Sequence, residues 1–232
     1  QSDGSRRRLT EQTGAEGRAV FSELESGSTQ AYRITVPYEG ATYGAQPFRL
    51  EPNRGHRVRV SRLPTTDNAD VLLLAMGHTE LSLRKERLHV IQQYQLMNLG
   101  EKTYVFPEDG QLVPLPPGFT GFQARESMTD QKLVGVDDGF RIHGSIPPGP
   151  VTMTWGFDLP LEGSEMSFTI DMPWDKVYRY RLASATTEGM SVELDGMPEP
   201  KEHDVQGNTM LISELQRRPG DAPLDSVRIT VR

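Results

Sequence analysis

The segment VTMTWGF, residues 151–157, alternates large apolar side chains with small ones. Val151, Met153, Trp155 and Phe157 share one parity, and successive side chains of a strand point to opposite faces. An extended chain therefore places all four on one side and the threonines and glycine on the other. This pattern predicts a β-strand with one face in a core.

Similar short runs flank this segment on both sides. Residues 81–98 form the longest, and it predicts either one long strand or two interrupted ones. A helix is the alternative there, because Leu83, Arg87 and Val90 are helically spaced, but alternation and β-forming residues dominate its second half. Pro114 lacks an N–H donor and predicts an edge strand. The other runs lie at 71–76, 103–106, 112–115, 139–146, 166–170, 177–182, 191–194, 209–212 and 227–231.

Turn-forming residues separate these runs throughout the chain. The 232 residues include 22 glycines and 17 prolines, and many short strands between turn signals indicate an all-β fold. Before residue 63, similar strand signals occur at 19–24, 31–38, 41–50 and 56–62, and 63–68 is typical of a linker. We therefore predict two consecutive β-sandwich domains, residues 1–64 and 65–232.

Composition excludes several classes of function. The net charge is −7, with acidic and basic residues interspersed, so no basic stripe favours nucleic-acid binding. The absence of cysteine excludes disulfides, thiolate metal sites and cysteine nucleophiles. No apolar run reaches the ~18 residues of a membrane span. We expect any export signal or membrane anchor to lie in a segment outside this chain.

Residues 13–38 resemble the carboxypeptidase regulatory-like, or transthyretin-like, domain. That family shows a T-x-x-x-G-x-x-x-F-x-x-L turn and strand followed by an alternating strand, and the matching residues are Thr13, Gly17, Phe21, Leu24, Tyr32, Ile34, Val36 and Tyr38. The resemblance covers about residues 10–62. Residues 88–94, 98–104, 113–118 and 146–149 are similar to the larger, immunoglobulin-like sandwich that follows such a domain in exported bacterial envelope proteins.

The first domain has fewer strands than a complete transthyretin-like domain. Either residues 6–10 form a further strand and the rest is degenerate, or an edge is left open, and an open edge with unpaired N–H and C=O groups favours pairing with a strand from a partner. The resemblance therefore implies protein partners or self-association. It also implies a periplasmic or extracellular location with attachment to a membrane.

No catalytic constellation, cofactor motif or metal motif is present in the sequence. None of the five histidines lies two to four positions from another, so the local HxH and HExxH pairs are absent. His203 has acidic neighbours, but a solvated loop is the favoured interpretation. Ser145 follows His143-Gly144 without a nucleophile-elbow pattern. The sequence thus predicts a protein that is not an enzyme and needs no cofactor.

The candidate binding residues are aromatic. Phe119 and Phe122 alternate with glycines after Pro116-Pro117, and exposed loop aromatics often mark a partner contact. The alternative is that both rings close the end of the sandwich core. Tyr38 and Tyr43 flank the Glu39-Gly40 turn and form a second candidate pair.

Three classes of function remain from the sequence. The first is a non-enzymatic cell-envelope module that binds protein or helps to assemble a complex. The second is a carbohydrate-binding module, which needs aromatic rings arrayed on one exposed face, with Tyr178 and Tyr180 as further candidates. Both tyrosines share the parity of Leu182, and this parity favours a core position. The third is a hydrolase or its accessory domain, which requires distant carboxylates to converge.

Overall fold

The structure is a computed structural model that describes residues 7–125, 130–161, 163–185, 189–205, 207–218 and 220–232. Its strands are β1 (Thr35–Tyr38), β2 (Ala41–Gly44), β3 (Thr65–Thr66), β4 (Leu72–Arg84), β5 (Arg87–Asn98), β6 (Thr103–Val105), β7 (Gln111–Pro114), β8 (Thr120–Ala124), β9 (Lys132–Val136), β10 (Gly139–His143), β11 (Ser145–Ile146), β12 (Gly149–Pro160), β13 (Met166–Asp171), β14 (Arg179–Ala185), β15 (Val192–Asp195), β16 (Lys201–Val205), β17 (Asn208–Gln216) and β18 (Ser226–Val231). A single 3-10 turn covers Ala69–Val71, and the described residues contain no α-helix. The prediction of an all-β chain is confirmed.

The chain divides into two compact units. The first comprises Gln1–Tyr38 with Thr42–Arg62, and the second comprises Glu39–Ala41 with Leu63–Arg232. Thr65 and Thr66, which were predicted to belong to a linker, form β3 and pair in parallel with Thr103 and Tyr104 of β6. The second unit therefore begins at the residues that looked like a connection.

The β1–β2 hairpin is the only sheet among the described residues of the first part of the chain. Its turn residues Glu39 and Gly40 have φ angles of 48° and 77°, the left-handed conformation that two-residue hairpin turns require. An isolated bridge pairs Tyr32 with Phe48. A sandwich needs two packed sheets, so the transthyretin-like assignment of this region stays a prediction.

Two predicted strands of the first unit do not form. Residues 19–24 and 56–62 carry no strand, although 56–62 alternates valine with arginine. Val58 and Val60 are only partly buried, and Arg57 and Arg59 are exposed. Alternation produces a strand only where a partner supplies hydrogen bonds, and none of the described residues pairs with this segment.

The second unit is built on a seven-stranded sheet. Its strand order is β16-β17-β14-β4-β5-β12-β8. β14 runs parallel to β4, and β5 is antiparallel to both β4 and β12 over nearly its whole length. Three smaller sheets complete the unit, with orders β7-β10-β9, β11-β6-β3 and β13-β18-β15.

One core fills the second unit. The large sheet contributes its inner face, with Trp155, Phe157 and Tyr94 each at most 1% exposed. The smaller sheets contribute residues such as Phe140 and Ile229 to the same cluster. The alternation predicted for residues 151–157 is confirmed for Met153, Trp155 and Phe157, which are buried, while Val151 is partly buried.

Residues 81–98 form two strands, which excludes the helical alternative. β4 and β5 make a hairpin whose last pair is Arg84 with Arg87. Lys85 in the turn has a φ of 56°, so the hairpin turns at a lysine rather than at glycine or asparagine. The sequence therefore lacked the usual signal for the turn.

A buried polar network crosses the centre of the large sheet. Trp155 Nε1 donates to Gln92 Oε1 over 2.9 Å, and Gln92 Nε2 donates to Tyr94 Oη over 3.1 Å. The same Nε2 lies 3.4 Å from Thr79 Oγ1, which is 2.6 Å from Tyr180 Oη. All five side chains are almost fully buried, so each of these polar groups depends on the others for a partner.

Gly77 makes room for this network. A Cβ atom at this position would lie 2.4 Å from Tyr180 Cδ2, because the tyrosine ring lies across the glycine. Burial raises the pKa of both Tyr94 and Tyr180, so their hydroxyls stay protonated and able to donate. A larger residue at position 77 would collide with the Tyr180 ring, so this position requires glycine.

The edges of the sheets carry charge or proline. All five residues of β16 are exposed, in the order Lys-Glu-His-Asp-Val. Pro114 lies in β7, which is the edge strand of its sheet, as its missing N–H predicted. Charges and proline are the usual protection of an edge against further strands.

Replacing the central amide tests the network. We expect Gln92→Leu to destabilise the second unit by about 2–3 kcal/mol, because it leaves the Trp155 indole N–H buried without an acceptor. The measurement is urea unfolding followed by tryptophan fluorescence, since Trp155 and Trp174 are the only tryptophans of the chain and both are buried in this unit.

The matched control is Gln93→Leu, whose side chain is exposed on the other face of β5. A surface substitution of this kind changes stability by about 0.5 kcal/mol at most. Equal effects of the two substitutions would contradict a structural role for the network.

Candidate functional site

Phe119 and Phe122 close the core. Phe122 stacks on Phe140 with ring centroids 5.0 Å apart, and Phe119 makes an edge contact with Phe157 at 6.4 Å. Both rings are partly buried and pack against the core cluster. The exposed-loop interpretation is wrong for these side chains, because Phe122 lies within β8 and points to the inner face; a binding role for them stays a prediction.

Tyr38 and Tyr43 differ in exposure. Tyr43 is 6% exposed, so its ring offers no surface to a partner in this structure. Tyr38 is partly buried, and the Arg62 guanidinium lies 4.3 Å from its ring centroid. The two tyrosines of this predicted pair therefore differ in the surface that they offer to a partner.

Tyr178 and Tyr180 also separate. Tyr180 is fully buried, as its parity with Leu182 predicted, whereas Tyr178 is 45% exposed. Leu74 pairs with Val177 in the same register as Gly77 with Tyr180, just before β14 begins, and Val177 and Tyr180 are both buried although they are three positions apart. β4 has a bulge between Leu74 and Met76 at the same level. Because of this irregularity, the Tyr178 side chain does not follow the alternation of β14 and points to solvent. Counting odd and even positions in the sequence cannot show such an irregularity.

The solvent side of the seven-stranded sheet is the largest regular surface of the second unit, and we call it the outer face. Cross-strand register places its side chains in rows. One row runs through Glu214, Arg181, His78, Gln93 and Thr154. A second row runs through Ser82, His89, Asp158 and Thr120. The face is polar across its middle.

Arg179 and Glu214 form an ion pair between β14 and β17, where the first row ends. Arg179 Nη2 donates to Glu214 Oε2 over 2.7 Å. This hydrogen bond holds the pKa of Glu214 below its usual value and raises that of Arg179. Both side chains are about one third exposed, so the pair is a rim contact that solvent and salt weaken.

His78 lies between two strands at the centre of the outer face. Arg181 is opposite it in β14 and Gln93 in β5. Burial lowers the pKa of His78, the Arg181 charge lowers it further, and Glu80 partly offsets both. The imidazole is therefore neutral at neutral pH and can act as both donor and acceptor.

His89 and Asp158 form a second polar pair on the same face. His89 Nδ1 lies 2.6 Å from Asp158 Oδ1, and Arg87 Nη1 lies 3.9 Å from Asp158 Oδ2. A hydrolytic triad also needs a hydroxyl hydrogen-bonded to the imidazole. The structure places no such hydroxyl there within the residues that it describes, so the pair is a surface contact between β5 and β12.

One end of the outer face is apolar, and we call it the apolar end: Leu73, Met76, Met97, Leu99 and Tyr178. Leu73 lies opposite Met97 across the β4–β5 pair. Met76 is 37% exposed, Tyr178 45% and Leu99 65%. These are three of the five exposed large apolar side chains in the described part of the second unit. Methionine, leucine and tyrosine together make an adaptable contact surface.

No group of three or more His, Cys, Asp or Glu side chains is arranged to hold a metal ion in the described part of the chain. No helix in that part of the chain has the length and apolar character needed to cross a bilayer.

Comparison with known proteins identifies no family. No family model matches the chain, and no curated protein matches its sequence. Among solved structures, a candidate protease from Parabacteroides distasonis is similar over 71% of this chain and 41% of its own, at 10% identity and a TM-score of 0.40. The M1 zinc metallopeptidase of Deinococcus radiodurans is similar over 68% and 42%, at 12% identity and 0.38.

A two-domain M1 zinc metallopeptidase variant bound to L-tryptophan gives the same values, with 12% identity and a TM-score of 0.38. This chain spans about two fifths of the length of each of these proteins. At these scores, neither a shared fold nor a shared activity follows.

The lowered pKa of His78 should make the stability of the second unit depend on pH. A histidine with a lowered folded-state pKa binds its proton more readily after unfolding, so stability falls as pH drops below the ordinary value of 6.5 toward the folded value. We expect His78→Gln to flatten this part of the stability–pH curve. Urea unfolding at several pH values between 7.5 and 5 measures it.

His203→Gln is measured in parallel, because His203 is exposed on β16 and its replacement separates the general effect of removing a histidine from the effect of the His78 site. An unchanged slope in His78→Gln would contradict the assignment of the lowered pKa to His78.

Proposed function

We propose that the chain is a non-enzymatic binding module that contacts a protein partner through the outer face of its large sheet. The observation that carries this proposal is the apolar end, where Met76 is exposed on β4 beside the exposed Tyr178, whose N–H donates to the Leu74 carbonyl, and where Leu99 is exposed past the end of β5. Isolated apolar residues are normal on a surface, whereas a cluster with a polar rim is typical of a protein contact.

The rim of the apolar end supports the same proposal. Arg179 with Glu214 lies on one side, and Lys176, whose Nζ donates to the backbone carbonyl of Asp70 over 2.6 Å, lies near the start of β4. Interfaces combine an apolar centre with polar groups at the margin. Tyrosine and arginine are also enriched among the residues that dominate binding energy.

The geometry of the titratable groups favours binding over catalysis. His78 and His89 lie on neighbouring strands of the outer face, and no hydroxyl is hydrogen-bonded to either imidazole among the described residues, as nucleophilic catalysis by a triad requires. Ser145, the serine after His143-Gly144, is fully buried, and its hydroxyl donates to Asp130 over 2.8 Å. Its position suits a structural role.

A cell-envelope setting belongs to this proposal. The motif of Thr13, Gly17, Phe21 and Leu24 resembles the transthyretin-like domain of exported bacterial proteins. The lack of cysteine is compatible with a location inside or outside the cytoplasm. We propose a periplasmic or extracellular location, with membrane attachment through a segment outside this chain. Self-association is the second arrangement that this setting allows.

Carbohydrate binding is the alternative function. It requires several exposed rings on one face, and Tyr178 is the only large aromatic side chain that is exposed in the described part of the chain. A single ring supports one stacking contact. Tyr178 could therefore contact a protein or a sugar, and photo-crosslinking at position 178 distinguishes the two functions.

The test places a photoreactive amino acid at position 178 of the protein in its native cells. We expect one reproducible protein adduct after irradiation. Adding Met76→Asp to the same chain should reduce the adduct about tenfold, because a charge in an apolar contact costs more than about 1.4 kcal/mol.

The matched control carries the photoreactive residue at position 134, because Val134 is 48% exposed but lies in β9, outside the outer face. Equal adducts from both positions, or an adduct that Met76→Asp leaves unchanged, would contradict the proposed surface. Polysaccharide retention that Tyr178→Ala abolishes, without any protein adduct, would favour the carbohydrate alternative.

A further inference from the structure

Arg181 is a partly buried cation at the middle of the outer face that has no ion pair among the described residues. Its Nε atom is buried and has no hydrogen-bond partner there. A buried donor without an acceptor costs about 1–3 kcal/mol. The terminal Nη atoms of the same guanidinium also make no hydrogen bond among the described residues but are not buried, so they are the donors that a ligand on this face can reach.

The neighbouring carboxylate is already engaged. Glu214 is directly opposite Arg181 in the β14–β17 register. Its carboxylate accepts instead from Arg179 at 2.7 Å, although the Nε of Arg179 also has no partner. The hydrogen bond from Arg179 is the main cause of the lowered pKa of Glu214, and the Arg181 charge adds to it. No hydrogen bond joins Arg181 to Glu214 among the described residues, so the Nη donors of Arg181 stay available.

The other groups around Arg181 do not replace that carboxylate. His78 faces it from β4 and is a neutral imidazole, and Gln93 is the next side chain along the row. Glu80 lies one row further, opposite Ala183, and no ion pair within 4.0 Å joins it to Arg181. The guanidinium presents a planar fork of donors, which matches an oxyanion with two acceptor oxygens.

We propose that Arg181 binds an acidic side chain of the protein partner that docks on the outer face. This inference rests on the proposed function and names the chemistry of the partner. A singly charged carboxylate suits the position better than a phosphate, because Glu214 and Glu80 repel a second negative charge.

The apolar end lies beside this position and completes the expected contact. Arg181 is opposite His78 and Tyr180 is opposite Gly77, so Met76 lies one row from the guanidinium on the same face. The partner surface is thus expected to present an apolar side chain next to an aspartate or glutamate. The apolar group supplies desolvation, which strengthens the adjacent charge-assisted hydrogen bond.

The test uses sodium acetate as the carboxylate probe on the full chain. The Nε–Hε resonances of the arginine side chains are followed by NMR during titration at constant ionic strength, and Arg181→Lys assigns the Arg181 signal by its loss. We expect the Arg181 signal to shift saturably at lower acetate concentration than the signal of Arg57, which is exposed. Sodium chloride at the same concentrations should not reproduce the shift.

A response no larger than that of Arg57, or one that chloride reproduces, would overturn the carboxylate site. Inorganic phosphate in a parallel titration should shift Arg181 less than acetate, and a larger shift would overturn the choice of carboxylate. The titration needs no partner, so its failure is separable from failure of the photo-crosslinking experiment. With a crosslinked partner in hand, Arg181→Gln should reduce the adduct at position 178, and Arg57→Gln should not.

Discussion

The hydrogen bond from the Trp155 indole to the Gln92 amide is the constraint on which the second unit depends. It joins β5 to β12 inside the core, and the other end of the same amide reaches Tyr94 and Thr79. Buried polar groups are costly unless all of them are paired. A shift of β5 by one residue would turn the Gln92 side chain to solvent and leave the indole unpaired. The network therefore selects one register for the sheet.

The same register determines what the outer face presents. Side chains alternate along a strand, so each residue that the network holds in the core places its neighbours on the outer face. The buried Gln92 places Gln93 on the outer face, and the buried Thr79 places His78 and Glu80 there. The row that contains Arg181 exists because Tyr180 and Leu182 are buried on either side of it. The candidate binding surface is in this sense a consequence of how the core is paired.

The sequence predicted the parts of this structure that depend on local pattern. The all-β class, the inward residues of 151–157 and the edge position of Pro114 all follow from alternation and from the chemistry of proline. Residues 56–62 alternate equally well but find no partner strand, and pairing over long distances has no local signal. Tyr178 was misjudged for a related reason, because a strand irregularity exposes it. For Phe122 the sequence left an exposed and a core-closing position open, and the second applies, since its ring packs over Gly135 of β9 and against Phe140, which only the folded chain brings near.

The parallel pairing of β14 with β4 has a consequence for how the protein is made. The hydrogen bond between Thr79 and Tyr180 joins residues 101 positions apart, and synthesis adds about 5–20 residues per second. The β4–β5 hairpin therefore leaves the ribosome roughly 5–20 seconds before its parallel neighbour exists. During that interval one side of β4 is an unpaired edge, and the leucines of its inward face lack their cover. Chaperones that hold exposed strands would find this nascent hairpin, rather than the finished sheet, as their substrate.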